Sequence, residues 1–239
     1  MREELVKVYL DTSSRIENGE YPSILKSFPI ISKRYDSDDK KIKKIGLVSI
    51  DNADCVDIAD RLSRSGKTCI LNMASYKNPG GGVHKGAKSQ EEDLCRRSNL
   101  IFGLDRNLYP LDVNTGIYTK DVTFFKDKYY NIIDPFKCDV ITIAAVNISY
   151  GDIPKNYDEV MENKISTILY VPYQNGCKNL VLSAFGCGVF KNNPLYVAGI
   201  FKKLLNEGFS SLYNKISFAI INDHNSSSDN YSAFKTILE

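Results

Sequence analysis

The hydrophobic positions of this chain fall into two alternating patterns. Short, nearly continuous apolar runs occupy residues 45–50, 68–73, 139–146, 180–185 and 216–221. Runs of this length predict strands, and strands without polar alternation are typical of a sheet that is covered on both faces. Between these runs, apolar residues recur at helical spacing. We therefore expect a central sheet with helices packed against both of its faces.

The helical pattern covers residues 2–17, 51–65, 90–103, 157–173, 194–205 and 230–238. Asn193 and Pro194 look like an N-cap residue followed by proline in the first helical position. Residues 104–134 show little helical period, and within them 116–119 and 122–125 predict short strands or a hairpin near the site. Strand–helix alternation over the whole length predicts a three-layer α/β/α sandwich with a mixed central sheet. We expect a single domain over residues 1–239, with a helical extension at about 1–44 packed on it.

Composition narrows the class of protein. The 239 residues are 43% hydrophobic and 25% charged with a net charge of +2, which is typical of a globular domain and does not indicate a dedicated nucleic-acid site. No signal peptide or apolar run of membrane length is visible, so we expect no membrane partner and a cytoplasmic location. The charged run at residues 32–44 predicts a solvated loop, or alternatively a patch for an acidic polymer.

Cysteines and histidines give no sign of a metal site or cofactor. The six cysteines lack C-x-x-C or His/Cys metal spacing and predict buried free thiols in a reducing compartment. His84 lies in a glycine loop without a metal partner nearby in sequence, and His224 lies in a predicted surface loop. We expect neither a metal nor a cofactor.

The first candidate motif joins three glycines to a pair of glutamates. Gly80, Gly81 and Gly82 follow the predicted strand 68–73, and Glu91 and Glu92 stand where the next helix begins. Consecutive glycines suit a backbone that must adopt positive φ or approach a ligand closely. Carboxyl groups beside such a loop suggest general acid–base cleavage of a glycosidic bond.

An ordinary structural explanation competes with this one. Ser89 and Glu92 also fit a capping box, in which the serine caps the helix and the glutamate reaches back to the N-cap backbone. Acidic residues are common in a first helical turn because the helix dipole favours them there.

The second candidate motif is the turn after the strand 180–185. Gly186, Cys187 and Gly188 lead toward the helix that starts at Pro194. Glycines let backbone N–H groups point at anionic oxygens, and a helix N-terminus adds partial positive charge, so a phosphate cradle is predicted. The alternative is a tight turn that needs glycine for geometry only. Cys187 has no specified base nearby, which favours a small buried residue over a nucleophile.

The glycine triplet, the short spacer and Gln90-Glu91-Glu92 together resemble the signature of bacterial-type poly(ADP-ribose) glycohydrolases, which have a macrodomain fold. The flanking segments 70–75 and 95–98 fit the same signature. The resemblance implies hydrolysis of ribose–ribose O-glycosidic bonds with release of ADP-ribose. In it, Glu92 is the acid/base and Glu91 orients the substrate.

The resemblance also implies a substrate-binding set. It assigns the terminal ribose to Val189 and Phe190 and a ribose contact to Asn78; a core phenylalanine and a turn asparagine are the respective alternatives. The full predicted binding set is Asn78, Gly80, Gly81, Gly82, Gln90, Gly186, Cys187, Gly188, Val189 and Phe190. Phe218, Tyr231 and Phe234 are candidates for stacking on adenine. The family often has Ala-Pro-Asn where this chain has Ala-Val-Asn at residues 145–147.

The expected partners are ADP-ribose, poly(ADP-ribose) and ADP-ribosylated proteins, bound by a monomer. Two other functions stay open from the sequence. One is a hydrolase that removes single ADP-ribose units from a protein side chain. The other is a macrodomain that binds ADP-ribose without cleaving it.

Overall fold

The fold is built on one seven-stranded mixed sheet. The computed structural model describes residues 2–36, 46–221 and 229–239. The strands are β1 Ser27–Ile31, β2 Leu47–Asp51, β3 Thr68–Met73, β4 Thr115–Lys126, β5 Ile132–Ile143, β6 Asn179–Leu182 and β7 Lys215–Ala219, in the spatial order β1-β4-β5-β3-β6-β7-β2. Strands β5, β3, β6, β7 and β2 are parallel, whereas β4 pairs antiparallel with β1 and β5. The carboxyl ends of the three central strands β5, β3 and β6 therefore meet at one edge.

Helices cover both faces of this sheet. They are α1 Arg2–Glu17, α2 Cys55–Ser63, α3 Gln90–Arg97, α4 Tyr157–Gln174, α5 Pro194–Asn206 and α6 Asn230–Leu238. Alternate side chains of β3 enter two separate cores: Cys69 and Leu71 pack with α4, α5 and α6, and Ile70 packs with α1, α2 and α3. This confirms the predicted three-layer arrangement and mixed sheet.

Several predicted elements have the bounds given by the sequence pattern, and others are shorter. The bounds of α1, β3 and α6 agree with prediction. Helix α2 begins at Cys55 rather than near residue 51, because β2 continues through Asp51 and the Asp54 side chain caps the helix. Helix α3 ends at Arg97 rather than near residue 103, because Ser98 turns to extended backbone and pairs with Phe124 of β4.

The region around β4 and β5 differs most from the prediction. The two short strands expected at 116–119 and 122–125 are parts of the single strand β4, interrupted by register shifts. Strand β5 begins at Ile132, seven residues earlier than expected, because residues 132–137 extend the hairpin and lie largely on the surface. The edge strand β1 was not predicted; it has five residues and contains Pro29, which is tolerated only at an edge.

Three predictions fall wholly or partly outside the described residues. They are most of the charged run 32–44, the start of the strand predicted at 45–50, and the surface loop around His224. All six cysteines are buried free thiols. None of the helices in the described ranges has the length and apolar character needed to cross a membrane.

Candidate active site

One cavity of about 950 Å³ opens where β3, β5 and β6 end. Its lining includes Ala74, Ala145 and Ala184, each of which follows one of these strands. The segment between β3 and α3 forms one wall, and the turn after β6 forms another. The predicted site residues in the lining are Asn78, Gly81, Gly82, Gln90, Glu91, Glu92, Gly186, Gly188, Val189 and Phe190. The two glycine-rich motifs therefore share one cavity.

The first glycine turn lies directly against the two glutamates. Gly80 and Gly81 have φ values of 69° and 58°, in the left-handed region that favours glycine. A Cβ on Gly81 would lie 2.5 Å from Oε1 of Glu92 and 3.1 Å from Oε2 of Glu91. No side chain fits at residue 81 without displacing both carboxyl groups. Gly80 itself lies outside the cavity lining and packs against Ile101, and its predicted substrate contact stays a prediction.

Glu92 does not complete a capping box. Ser89 is the N-cap residue of α3, but its side chain makes no capping hydrogen bond. Oε1 of Glu92 instead accepts a hydrogen bond of 2.8 Å from the backbone N–H of Gly82. Oε2 is buried and has no hydrogen-bond partner among the residues that the structure describes. Glu92 lines the cavity, so a carboxyl group with one oxygen that has no partner in the described chain stands at its wall.

Glu91 is more deeply held than Glu92. Its Oε2 accepts a 2.7 Å hydrogen bond from the Ser75 N–H, and its Oε1 accepts one of 3.4 Å from the side-chain amide of Asn72. Burial raises the pKa of Glu91 to about 8, and the adjacent Glu92 charge acts in the same direction. Both oxygens are thus engaged, and the group has a fixed orientation.

The raised pKa of Glu91 predicts a pH-dependent stability. Between pH 4.5 and 8 the folded protein holds one proton on Glu91 that the unfolded chain has released. The free energy of unfolding should therefore fall as pH rises through this window, by up to about 1.4 kcal/mol per pH unit. In urea titrations at several pH values, Glu91→Gln should flatten this slope, and the exposed-site control Glu159→Gln should not. Equal slopes for wild type and Glu91→Gln would contradict the assignment.

Gln90 joins the start of α3 to the edge of β3. Its Nε2 donates to the carbonyl of Leu71 at 2.6 Å, and its Oε1 accepts from the N–H of Met73 at 2.8 Å. Strand β6 pairs with β3 only as far as Ile70, so the carboxamide takes the backbone positions that β6 leaves unpaired. Gln90 lines the cavity, but its polar atoms are occupied. Its predicted substrate contact stays a prediction.

The second glycine turn presents free backbone donors. Gly186 has a φ of 75°, and a Cβ there would lie 2.6 Å from Nδ2 of Asn192, which donates to the Gly186 carbonyl at 2.9 Å. Within the described chain, the N–H groups of Gly188, Val189 and Phe190 meet no acceptor. A Cβ at Gly188 would meet only open space. Three successive free N–H groups beside a cavity can bind an anion.

The helix after this turn is already capped. The Asn193 side chain accepts hydrogen bonds from the N–H groups of Leu195 and Tyr196, at 2.9 and 3.2 Å. The predicted N-cap and the proline at the first helical position are confirmed. These first-turn donors of α5 are therefore occupied, and the N–H groups without an acceptor in the described chain belong to the turn itself.

Cys187 lies on the buried side of the turn and does not line the cavity. Its N–H donates to the carbonyl of Ala184 at 3.0 Å, and its Sγ lies 3.5 Å from the carbonyl of Phe185. Burial raises the pKa of this thiol to about 12. Cys187 is thus the small buried residue that the sequence favoured over a nucleophile, with its backbone donor and its thiol both in contact with the protein, and its predicted substrate contact stays a prediction.

Of the aromatic residues that were predicted to contact a ligand, only Phe190 lines the cavity. Phe190 is half-buried and lines the cavity, with its ring 6.5 Å from that of Tyr76, so it is not a core phenylalanine. Phe218 and Phe234 are fully buried against each other and cannot stack on a ligand. Tyr231 is absent from the lining, to which α6 contributes Asn230.

The structure adds three cations that the sequence did not single out: exposed Lys77, Lys85 and Arg106 stand in the lining. His84, which the sequence placed in the glycine loop, also lines the cavity, and its ring meets that of Tyr9 edge-on at 4.7 Å. Lysines and arginines are common on any surface, so the sequence contained no signal for the three cations. Within the described ranges, no group of three or more His, Cys, Asp or Glu side chains could hold a metal ion.

Comparisons with known proteins agree with this geometry. Residues 21–127 match the family model described as microbial-type PARG, catalytic domain. The comparison with curated proteins gave no match.

Solved structures give matches over nearly the whole chain. Poly(ADP-ribose) glycohydrolase from Thermomonospora curvata is 24% identical over 98% of this chain and 99% of that chain, with a TM-score of 0.85. The same values hold for that enzyme bound to the inhibitor ADP-HPD. The glycohydrolase from Deinococcus radiodurans in complex with ADP-ribose is 27% identical over 89% of this chain and 94% of that chain, with a TM-score of 0.76. The predicted resemblance is confirmed: residues 21–127, which include Glu91 and Glu92, match the family model of the microbial-type PARG catalytic domain, and the chain has the fold of the bacterial glycohydrolases.

Proposed function

We propose that this protein is a poly(ADP-ribose) glycohydrolase, a glycosidase that hydrolyses ribose–ribose O-glycosidic bonds and releases ADP-ribose. The observation that carries the proposal is the shared cavity. An unpaired carboxylate oxygen of Glu92 lies on one wall, and three free backbone donors, those of Gly188, Val189 and Phe190, lie on another. A substrate with a diphosphate at one end and a scissile sugar at the other matches these two features.

The turn after β6 would hold the diphosphate. Backbone N–H groups bind phosphate oxygens without the mobility of long side chains, and glycine at residue 188 allows close approach. Val189 and Phe190 would then border the terminal ribose, because they follow the donors directly and line the same cavity. Asn78, exposed at the opposite wall, is placed to contact a ribose hydroxyl.

Glu92 would act first as general acid and then as general base. Cleavage of the glycosidic bond builds positive charge on the sugar and needs a proton on the leaving oxygen. Oε1 is fixed by the Gly82 N–H, which leaves Oε2 to deliver that proton and later to accept one from the attacking water. The proton balance closes after one turnover.

Glu91 would orient the substrate rather than exchange protons with it. Its oxygens already accept hydrogen bonds from Ser75 and Asn72, so the group is rigid. Retaining glycosidases use a second carboxylate as a nucleophile. In this site the second carboxylate is occupied, which supports chemistry on one carboxyl group.

The charge of the cavity favours a polymeric substrate over a single protein-linked unit. Three cations, Lys77, Lys85 and Arg106, stand in the lining with the acidic side chains Glu91 and Glu92, of which Glu91 holds its proton up to about pH 8. When a polymer is cut, the leaving portion carries further diphosphates, and cations at the mouth would attract them. A neutral leaving side chain gains nothing from these cations. The presence of Glu92 with a free oxygen argues against a macrodomain that only binds.

The test compares polymer with mono-ADP-ribosylated protein. We expect Lys77→Ala/Lys85→Ala/Arg106→Ala to lower kcat/KM on the polymer by about ten-fold at low salt and to weaken its salt dependence. On the mono-ADP-ribosylated protein the change should stay within about two-fold. A triple variant at exposed lysines away from the cavity, Lys137→Ala/Lys178→Ala/Lys202→Ala, controls for net charge. Equal losses on both substrates, or faster turnover of the mono-ADP-ribosylated protein by wild type, would contradict the polymer assignment.

The oligomeric state, the partners and the cellular compartment of the enzyme are also proposed. We propose that the enzyme acts as a monomer on ADP-ribosylated proteins and needs no cofactor. Six buried thiols suit a reducing compartment such as the cytoplasm.

A further inference from the structure

We infer that helix α1 helps to position the catalytic carboxyl group. Arg96 and Gly86 connect α1 to the loop 80–89, and Gly82 in this loop binds the side chain of Glu92. The inference rests on the proposed function for its catalytic consequence. Helix α1 spans Arg2–Glu17 and lies outside the residues that match the family model. It nevertheless packs against α3 and against the glycine loop.

Arg96 joins three separate parts of the molecule. It is 1% exposed, in the last turn of α3. Its Nε donates to the carbonyl of Leu5 in α1 at 3.2 Å, and its terminal nitrogen donates to the carbonyl of Ala87 in the loop. A buried guanidinium that bonds to main-chain carbonyls fixes the backbones on both sides of it, because its donors form a rigid fork.

Helix α1 is also held from its other side. The Thr12 hydroxyl donates to the carbonyl of Arg96 at 2.5 Å, and the buried ammonium of Lys126 donates to Thr12 Oγ1 at 2.7 Å and to the Val8 carbonyl at 3.2 Å. Lys126 also pairs with Asp11 at 2.7 Å. Hydrogen bonds are directional, so these polar contacts fix α1 in one position, whereas apolar packing alone would allow it to slide.

The loop 80–89 packs tightly against α1 at Gly86. This residue has a φ of 70°, and a Cβ on it would clash with the main-chain carbonyl of Arg2. Two residues earlier, the His84 ring contacts the ring of Tyr9. Any side chain at residue 86 would therefore separate the loop from α1.

The loop connects these contacts to the catalytic carboxyl group. The carbonyl of Gly82 accepts hydrogen bonds from the N–H groups of Lys85 and Ala87, at 2.9 and 3.2 Å. The N–H of the same Gly82 holds Oε1 of Glu92. A shift of Ala87, which Arg96 holds, is therefore passed to Glu92 through a single residue. Small misplacement of a catalytic group can reduce turnover strongly without changing substrate binding.

Gly86→Ala tests the inference, with Gly176→Ala as a matched control. Both glycines have positive φ, 70° and 81°, so both variants carry the same kind of backbone strain. A Cβ at Gly176 would meet nothing within 4 Å. We expect Gly86→Ala to lower kcat by at least about ten-fold, with the Kd for ADP-ribose within about two-fold of wild type. Gly176→Ala should change neither quantity.

Arg96→Lys provides a second variant, since lysine keeps the charge but lacks the fork. It should also lower kcat without changing the Kd for ADP-ribose. In both Gly86→Ala and Arg96→Lys, the amide hydrogens of residues 82–89 should exchange faster than in wild type, and the exchange rates of residues 194–206 should stay unchanged. An unchanged kcat in Gly86→Ala, or an equal loss in Gly176→Ala, would overturn the inference. So would a rise in Kd that matches the fall in kcat. A wild-type protein without hydrolase activity would instead refute the proposed function, and the exchange data would still report whether α1 positions the loop.

Discussion

Glu92→Ala is expected to lower kcat on poly(ADP-ribose) by about a thousand-fold, while ADP-ribose still binds with nearly the wild-type Kd. In the proposed mechanism this carboxyl group supplies the proton for the leaving oxygen and accepts one from water, and no neighbouring group is placed to replace it. Glu91 is already hydrogen-bonded to Ser75 and Asn72. The diphosphate contacts lie on the opposite wall, so affinity should survive. Turnover of the polymer and calorimetric titration with ADP-ribose measure the two quantities.

The matched control is Glu159→Ala. Glu159 is an exposed glutamate in the first turn of α4, so this variant removes the same group from the same helical position away from the cavity. It should leave both quantities at wild-type values. If Glu92→Ala kept substantial turnover, the acid/base assignment would be wrong. If it lost ADP-ribose binding instead, Glu92 would be a binding residue.

Gly81→Ala should be nearly as damaging, although it removes no functional group. Its φ of 58° costs an alanine about 1–2 kcal/mol. More important, the added Cβ would lie 2.5 Å from Oε1 of Glu92. The carboxyl group must then move away from the Gly82 N–H. We expect a fall in kcat of about a hundred-fold, measured on the polymer under conditions in which the variant is folded.

Gly19→Ala separates displacement of Glu92 from general destabilisation. Gly19 has a φ of 82° and no atoms within 4 Å of the position of a Cβ. Its replacement should cost a similar free energy of unfolding in urea titrations and leave turnover unchanged. Similar activity losses in the two variants would show that stability, and not the position of the carboxyl group, limits the reaction.

Much of the fold follows from local pattern. The apolar run 68–73 and the helical period of residues 2–17 and 230–238 give the observed bounds of β3, α1 and α6. These signals depend on short-range spacing, which the sequence displays directly. Strand β1 and the early start of β5 were missed because their pairing depends on β4, a partner whose own extent the sequence understated.

The site shows the same division. The two glycine motifs were visible in the sequence because positive φ and close approach demand glycine in series. The choice between a capping box and a catalytic group for Glu92 was not decidable locally, since both use the same residues at the same spacing. The tertiary contact with Gly82 excludes the capping box, and the catalytic role of Glu92 stays a proposal. The burial of Cys187 between Gly186 and Gly188 depends on how the turn folds, which the sequence does not show.

The buried polar contacts of the site could not be predicted from sequence patterns. Arg96 bonds to carbonyls of Leu5 and Ala87, and any residue can offer a carbonyl. Gln90 likewise bonds to the backbone of β3. Because these contacts involve main-chain atoms, they do not depend on the type of the partner residue, and only the structure shows them.

The most direct measurement is a crystal structure of Glu92→Gln with ADP-ribose, because this variant keeps the shape of the side chain and stops turnover. The account predicts diphosphate oxygens at about 2.7–3.2 Å from the N–H groups of Gly188, Val189 and Phe190. It also predicts the anomeric carbon of the terminal ribose turned toward residue 92. A diphosphate bound away from the second glycine turn, or an anomeric carbon directed away from residue 92, would contradict it.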